Sequence, residues 1–292
     1  MFADFLPHQV HLLQENASIA LVPTIQRQPI VTCLSHQAIA TAYVRQGEGK
    51  PPILLLHGFD SSLLEFRCLL PLLALDYETW AIDLLGFGFT QRITGIEYNP
   101  EAIKTHLYAT WQTLIKQPVI LIGTSMGGAT AIDFTLTYPQ AVERLVLINS
   151  VGFSGDFPVG KLLFPPFDRL AVEYWRQRKL QALFWSSFNQ PLSVVEAIRC
   201  AALHLEMPHW DQALLSFMKS GGYSNLAEYI SQITKSTLIL WGDRDETLGI
   251  HDAAKFQQAI AHSQLVWLQS GHIPQLEQPE VVANHILCFC KN

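Results

Sequence analysis

Short runs in which nearly every residue is apolar recur along this chain, each followed by a stretch with helical spacing. A strand with one wet face alternates apolar and polar residues, so an unbroken run belongs to a strand covered on both faces. Ile53 to His57, Thr79 to Asp83, Val119 to Gly123 and Leu145 to Asn149 are such runs, with another at Ala38 to Val44. Between them the spacing predicts helices over Ser62 to Ala74, Pro100 to Ile115 and Met126 to Tyr138. The first opens on Ser62-Leu63-Leu64-Glu65, a capping-box pattern. The rhythm returns with a strand at Thr237 to Trp241, a helix at His251 to Ala261, a strand at Leu265 to Leu268 and a helix at Pro279 to Cys290. Such alternation predicts an α/β fold with a doubly wound, mostly parallel sheet. The first 35 residues are the least legible and read as a helix followed by an edge strand.

The rhythm breaks between residues 152 and 233, where Pro158, Pro165, Pro166, Pro191, Pro208 and Gly221-Gly222 punctuate helical pieces without a clear strand. This segment reads as an inserted helical cap on a core formed by residues 1–151 and 234–292. With 292 residues, 49% of them hydrophobic, the chain can bury a large core. Only 15% are charged, yet no apolar run approaches the roughly 18 residues that a membrane span needs. The expectation is a soluble protein with room for a greasy pocket or surface patch. Asp4, Pro7, His8, His11 and Glu15 interrupt the N-terminus where a leader peptide would be apolar, which points to a cytoplasmic location. A net charge of −6 without any basic cluster argues against nucleic acid. Five cysteines lack a CxxC pair and read as buried reduced thiols, not as a disulfide framework or a zinc site. His204 and His209 flank Glu206 but lack a third ligand, so no metal is expected.

The chemistry concentrates in VILIGTSMGGAT, residues 119 to 130, where an apolar strand runs into Gly123-Thr124-Ser125-Met126-Gly127 and then into a helix. A serine on so tight a turn is held in a strained conformation that presents its hydroxyl, and the flanking glycines remove side chains that would collide. The helix N-terminus beneath it favours developing negative charge. A hydroxyl needs a base and a third group to hold that base. Of eleven histidines, His272 is best placed, in a loop between a predicted strand and the last helix, whereas His8, His11, His106 and His262 read as surface or core-edge residues. The loop after Trp241 offers Asp243, Asp245 and Glu246, any of which satisfies the chain order Ser, acid, His.

Five motifs in order resemble the α/β-hydrolase superfamily over nearly the whole chain outside the cap. LLLHGFDSS at 54 to 62 is similar to its HG turn, DLLGFGFT at 83 to 90 to its D-x-x-G-x-G-x-[ST] turn, and GTSMGG at 123 to 128 to its elbow. WGDRD at 241 to 245 resembles W-G-x-x-D, and GHIPQLEQPE at 271 to 280 the loop carrying the catalytic histidine. The resemblance implies a Ser125, His272 and Asp245 triad, with the backbone amides of Phe59 and Met126 as oxyanion hole and the His57-Gly58 turn shaping that loop. It disfavours the alkyl-enzyme chemistry of haloalkane dehalogenases and epoxide hydrolases, which carry Asp where this chain has Ser125. Leu276 stands where carbon-carbon bond hydrolases often show Trp. Gly86-Phe87-Gly88 lacks the third glycine and the helix of a dinucleotide site, and no cofactor is expected.

The leading expectation is hydrolysis of a small or medium, apolar carboxylic ester. The alternatives are a ligand receptor of the same fold with slow turnover, a carbon-carbon bond hydrolase and a perhydrolase, the last known for relatives with a Ser-Met-Gly-Gly elbow. The cap is rich in rings, among them Phe153, Phe164, Phe167, Trp175, Phe184, Trp185 and Trp210. Most read as packing cap against body, with Phe153, Trp175 and Trp185 as candidates for substrate contact.

Overall fold

The computed structural model describes residues 2–155 and 157–291. Eight strands form one sheet: β1 (Gln26–Ile30), β2 (Ile39–Gln46), β3 (Ile53–Leu56), β4 (Thr79–Ile82), β5 (Val119–Thr124), β6 (Val142–Ile148), β7 (Thr237–Gly242) and β8 (Ser263–Leu268). Their order is β1-β2-β4-β3-β5-β6-β7-β8. β1 and β2 pair antiparallel and β2 pairs antiparallel with β4, while all pairs from β4 to β8 are parallel.

The helices are α1 (Asn16–Leu21), α2 (Leu69–Leu73), α3 (Pro100–Leu114), α4 (Met126–Thr137), α5 (Phe167–Asn189), α6 (Leu192–Ala202), α7 (Trp210–Ser220), α8 (His251–Ala259), α9 (Pro274–Glu277) and α10 (Pro279–Lys291). Helices α5, α6 and α7 lie between β6 and β7 in the chain, in the segment where the strand rhythm stops. Among the described residues no helix is long and apolar enough to cross a membrane.

Unbroken apolar runs become central strands because successive side chains leave opposite faces of the sheet. Leu54, Leu56 and Leu121 enter a core completed by Ile103, Leu107 and Phe134, on the side of α3 and α4. Ile53, Leu55, Ile120 and Ile122 enter the opposite core, completed by Leu69, Leu73, Val282 and Ile286 of α2 and α10. Each such side chain is fully buried, which contributes about 2 kcal/mol apiece. The N-terminal helix and edge strand also form, as α1 and β1.

Three expectations need correction. The helix predicted over Ser62 to Ala74 divides into a 3-10 turn at Leu63–Phe66 and the short α2. The amide of Leu63 donates to the Asp83 carboxylate, and Glu65 turns away from the Ser62 amide to accept from Gly58 at 3.0 Å. The capping box is therefore half-formed, with only the Ser62 hydroxyl accepting, from Leu64. Of the cysteines, Cys33 and Cys288 are exposed and Cys68 and Cys290 half-buried; Cys200 alone is buried. His106 is buried within the core, its Nε2 2.7 Å from the Thr41 hydroxyl.

The chain lays β4 on one side of β3 and then β5 on the other. Such a reversal opens a crevice outside the carboxyl ends of the two strands, because the crossing connections leave in opposite directions. Gly58 and Phe59 follow β3, and Ser125 follows β5.

Candidate active site

Ser125 sits at φ 49°, ψ −118°, outside the comfortable regions for a residue with a Cβ. Packing around the turn enforces this. A Cβ at Gly123 would lie 2.2 Å from the Gly127 carbonyl oxygen, and one at Gly127 would lie 2.1 Å from that of Leu56. Without side chains at these two positions the turn closes onto β3 and the Ser125 hydroxyl stands clear.

His272 comes from the loop between β8 and α9. Its Nε2 lies 3.1 Å from Ser125 Oγ and its Nδ1 lies 2.9 Å from Asp245 Oδ2. Asp243 and Glu246, the other two carboxylates of that loop, are exposed. Asp245 is surrounded by donors: the Asn149 amide at 2.9 Å on Oδ2, and the backbone amides of Thr247 and Leu248 at 2.8 and 3.0 Å on Oδ1. Burial pushes the Asp245 carboxyl up, but the His272 hydrogen bond and charge and the two amides outweigh it and hold the group below the usual carboxylate range. An ionised Asp245 fixes the His272 tautomer, with the proton on Nδ1 and the lone pair of Nε2 facing Ser125.

Asn149 is a residue that sequence reasoning missed. At φ 41° it ends β6 in a left-handed turn that Asn tolerates better than most residues. Its Nδ2 also donates to the Gly271 carbonyl at 3.0 Å, and its Oδ1 accepts from Gly242 at 2.9 Å. One side chain thereby braces the loops carrying Asp245 and His272. The only trace of it in the sequence is a polar residue closing an apolar run.

Glu65 is a second. It accepts from the Gly58 amide, the Thr124 hydroxyl and, at 2.9 Å, Gln275 Nε2, joining the loop after β3, the elbow and α9. Gly58 lies against Ser125, since a Cβ there would be 3.4 Å from the serine Cβ. Among the described residues no acceptor is found for the backbone amides of Phe59 and Met126, which flank Ser125 on this loop and on the first turn of α4.

His57 Nε2 accepts from the Leu84 amide at 3.1 Å, so Nδ1 carries the proton and donates to the Gly58 carbonyl at 2.8 Å. Burial pushes its pKa down to about 3, which keeps it neutral. It shapes the Phe59 loop from beneath, and it is fully buried away from the crevice.

The far side of that loop is tied to the segment between β6 and β7. Asp60 accepts from Lys179 Nζ at 2.5 Å, Trp210 Nε1 at 2.9 Å and His204 Nε2 at 2.8 Å. His204 Nδ1 accepts from Gly88, so this histidine is neutral with its proton on Nε2. Burial lowers its pKa to about 4. Burial also acts to raise the Asp60 pKa, but the charge of Lys179 and the His204 bond prevail and lower it. Sequence reasoning considered His204 only as a metal ligand. Nothing in its spacing reveals a partner 144 positions away in the chain.

A cavity of about 390 Å³ opens over Ser125 and His272, walled by Phe59, Trp175, Arg178 and Thr247. A second, of about 320 Å³, shares Trp175, Lys179 and Ile273 with it and ends on Ala182, Ala197, Ile198, Cys200 and Leu276. Of the three aromatic residues expected at the substrate, Trp175 lines both cavities. Phe153 instead packs edge-on against Phe256 at 4.9 Å, and Trp185 is 65% exposed and lines neither. Nor do most of the other rings pack on the body. Phe164, Phe167 and Phe184 are exposed, and Trp210 alone among these is buried.

A doubly wound sheet with a strained serine elbow after β5, an aspartate after β7 and a histidine after β8, all at the carboxyl ends of the strands, is the architecture of the α/β hydrolases. The chain belongs to the alpha/beta hydrolase family, whose model matches residues 53–285. It is 34% identical, over 298 aligned positions spanning 99% of this chain and 90% of the relative, to the alpha/beta hydrolase domain-containing protein VTE7 of Arabidopsis thaliana. It is 29% identical to a 2-hydroxy-6-oxo-2,4-heptadienoate hydrolase of Pseudomonas putida, over 78% of this chain and 84% of that protein. Among solved structures, a thermophilic esterase from Thermogutta terrifontis superposes with a TM-score of 0.75 at 23% identity, covering 91% of this chain and 98% of the esterase.

Proposed function

We propose that the protein is a serine hydrolase that cleaves an apolar carboxylic ester through an acyl-enzyme on Ser125. The observation that carries this reading is the continuous chain from Ser125 Oγ through both nitrogens of His272 to Asp245, with links of 3.1 and 2.9 Å. Ser125 Oγ attacks the ester carbonyl carbon while His272 Nε2 takes its proton, and Asp245 stabilises the imidazolium. The free amides of Phe59 and Met126 receive the oxyanion. His272 then gives its proton to the departing alcohol, and water repeats the sequence on the acyl-enzyme. Residues 152–233 act as a cap whose inner wall, with Trp175, bounds the substrate. The small, apolar ends of the second cavity support an apolar chain on one side of the ester.

A carbon-carbon bond hydrolysis is the second reading, favoured by the Pseudomonas relative. Leu276, not an aromatic residue, borders the cavity in this chain. Turnover of short nitrophenyl esters beside a 2-hydroxy-6-oxo-dienoate separates the two readings.

Ser125→Ala should abolish ester hydrolysis and labelling by a fluorophosphonate while the protein stays folded, a loss on the order of a million-fold in turnover. Retention of most activity in a monodisperse Ser125→Ala protein would falsify the assignment.

A further inference from the structure

Helix α5 wears its apolar side outward. At about 100° per residue, the side turned to the body holds the buried Asp168, Val172 and Ser186, together with Arg176 and Lys179, which are bonded to the Leu205 carbonyl and to Asp60. The side turned to solvent holds Phe167, Leu170, Tyr174, Phe184, Trp185 and Phe188, each between 55% and 71% exposed. The rings lean on one another, with Phe184 5.3 Å from Trp185 and 5.1 Å from Phe188. Exposed Gln177 and Gln181 divide the face into two apolar clusters, Phe167, Leu170 and Tyr174 toward one end and Phe184, Trp185 and Phe188 toward the other. From end to end they span about 30 Å, and exposed apolar clusters rimmed by polar residues mark an interaction site.

The borders of the face decide what covers it. On the helical wheel Arg169 falls along one edge and Arg178 along the other, both exposed, and Glu173 is the one acid on the face among the described residues. In a chain of net charge −6 this face thus carries an excess of cations. Rings and aliphatic chains between two guanidinium edges suit a helix lying in the plane of a bilayer surface. The apolar side chains enter the acyl boundary, and the long arginines reach back to anionic headgroups. A second copy docked on the same patch by a two-fold axis would instead bring like charges together.

We infer that the outer face of α5 is a docking surface for an anionic lipid bilayer. The inner side of the same helix contributes Trp175 and Lys179 to the cavity over Ser125, so docking seats that cavity at the lipid surface. The inference stands on the exposed face and is independent of what Ser125 cleaves.

Flotation of the full chain with phosphatidylcholine vesicles, with and without phosphatidylglycerol, tests it. The protein should float with the anionic vesicles, less as salt rises, and Ser125→Ala should float equally well. Phe184→Asp combined with Phe188→Asp should reduce the bound fraction about tenfold or more, and Arg169→Glu should reduce it less. Both variants change exposed residues, so each should keep the wild-type melting temperature and its turnover of a dispersed short-chain ester. The inference fails if the wild type stays with the soluble fraction at low salt, or if the double variant floats like the wild type. It also fails if light scattering shows a dimer that the double variant dissolves and no flotation occurs, which would assign the face to a second copy.

Discussion

Replacing Asp245 by Asn keeps size and shape but turns one oxygen into an NH2 group. In the wild type four donors converge on the carboxylate: His272 and Asn149 on Oδ2, Thr247 and Leu248 on Oδ1. If the new NH2 replaces Oδ1, it faces two partly buried backbone amides that cannot move, and both go unsatisfied at up to about 1–3 kcal/mol each. If it replaces Oδ2, it faces Asn149, which is locked by Gly242 and Gly271 and costs one such penalty, and His272, which escapes by moving its proton to Nε2. The second placement is the cheaper by one donor. It leaves an N–H, not a lone pair, facing Ser125, so the base is lost. Asp245→Asn should therefore lower turnover roughly ten-thousand-fold, by analogy with the serine-protease triad, while costing only about 1–3 kcal/mol of stability. Asp243→Asn, at an exposed position, should be nearly silent. Turnover on one activated ester and urea midpoints for both variants check this. Activity within tenfold of wild type in a folded Asp245→Asn protein, or a severe defect in Asp243→Asn, would refute the reasoning.

Two further outcomes follow from buried charge. His57, His106 and His204 have folded pKa values lowered to about 3, 4 and 4, so each takes up a proton on unfolding between pH 6.5 and 4, and the stability it contributes is lost as pH falls through that window. Asp83, raised to about 7 by burial, opposes them with one proton released. The net uptake of about two protons predicts a fall of about 3 kcal/mol per pH unit near pH 5, and a flat urea midpoint between pH 7 and 5 would contradict it. Lys179→Met should destabilise the protein by about 3–5 kcal/mol because Asp60 is left buried without its cation. Adding Asp60→Asn should restore part of that loss in the same urea titration, and no recovery would show that the pair is not the cause.

The sequence by itself determined the centre of the sheet, because a strand segment buried on two faces must be almost wholly apolar, and β3, β5, β7 and the Leu145 to Ile148 part of β6 obey that rule. It also singled out Ser125 and His272, since elbow glycines and a loop histidine after a late strand are local features. Between Asp243, Asp245 and Glu246 the residues alone left a choice, and the resemblance favoured Asp245. The fold brings Asp245 to His272 because its loop crosses from β7 to the neighbouring end of β8.

What only the tertiary structure decided are the groups whose partners lie far along the chain. Asn149 bonds to Asp245 and Gly271, Glu65 to Thr124 and Gln275, and Asp60 to Lys179, His204 and Trp210. Each such bond forms where loops from different strand ends meet, and no periodicity or spacing encodes that meeting. The same holds for Ser62 to Ala74, whose capping pattern was outbid by Gly58 and Thr124 for the Glu65 carboxylate. It holds as well for the rings of α5. Whether they faced the body or the solvent depended on Asp60 drawing Lys179, and the helix side that carries it, inward.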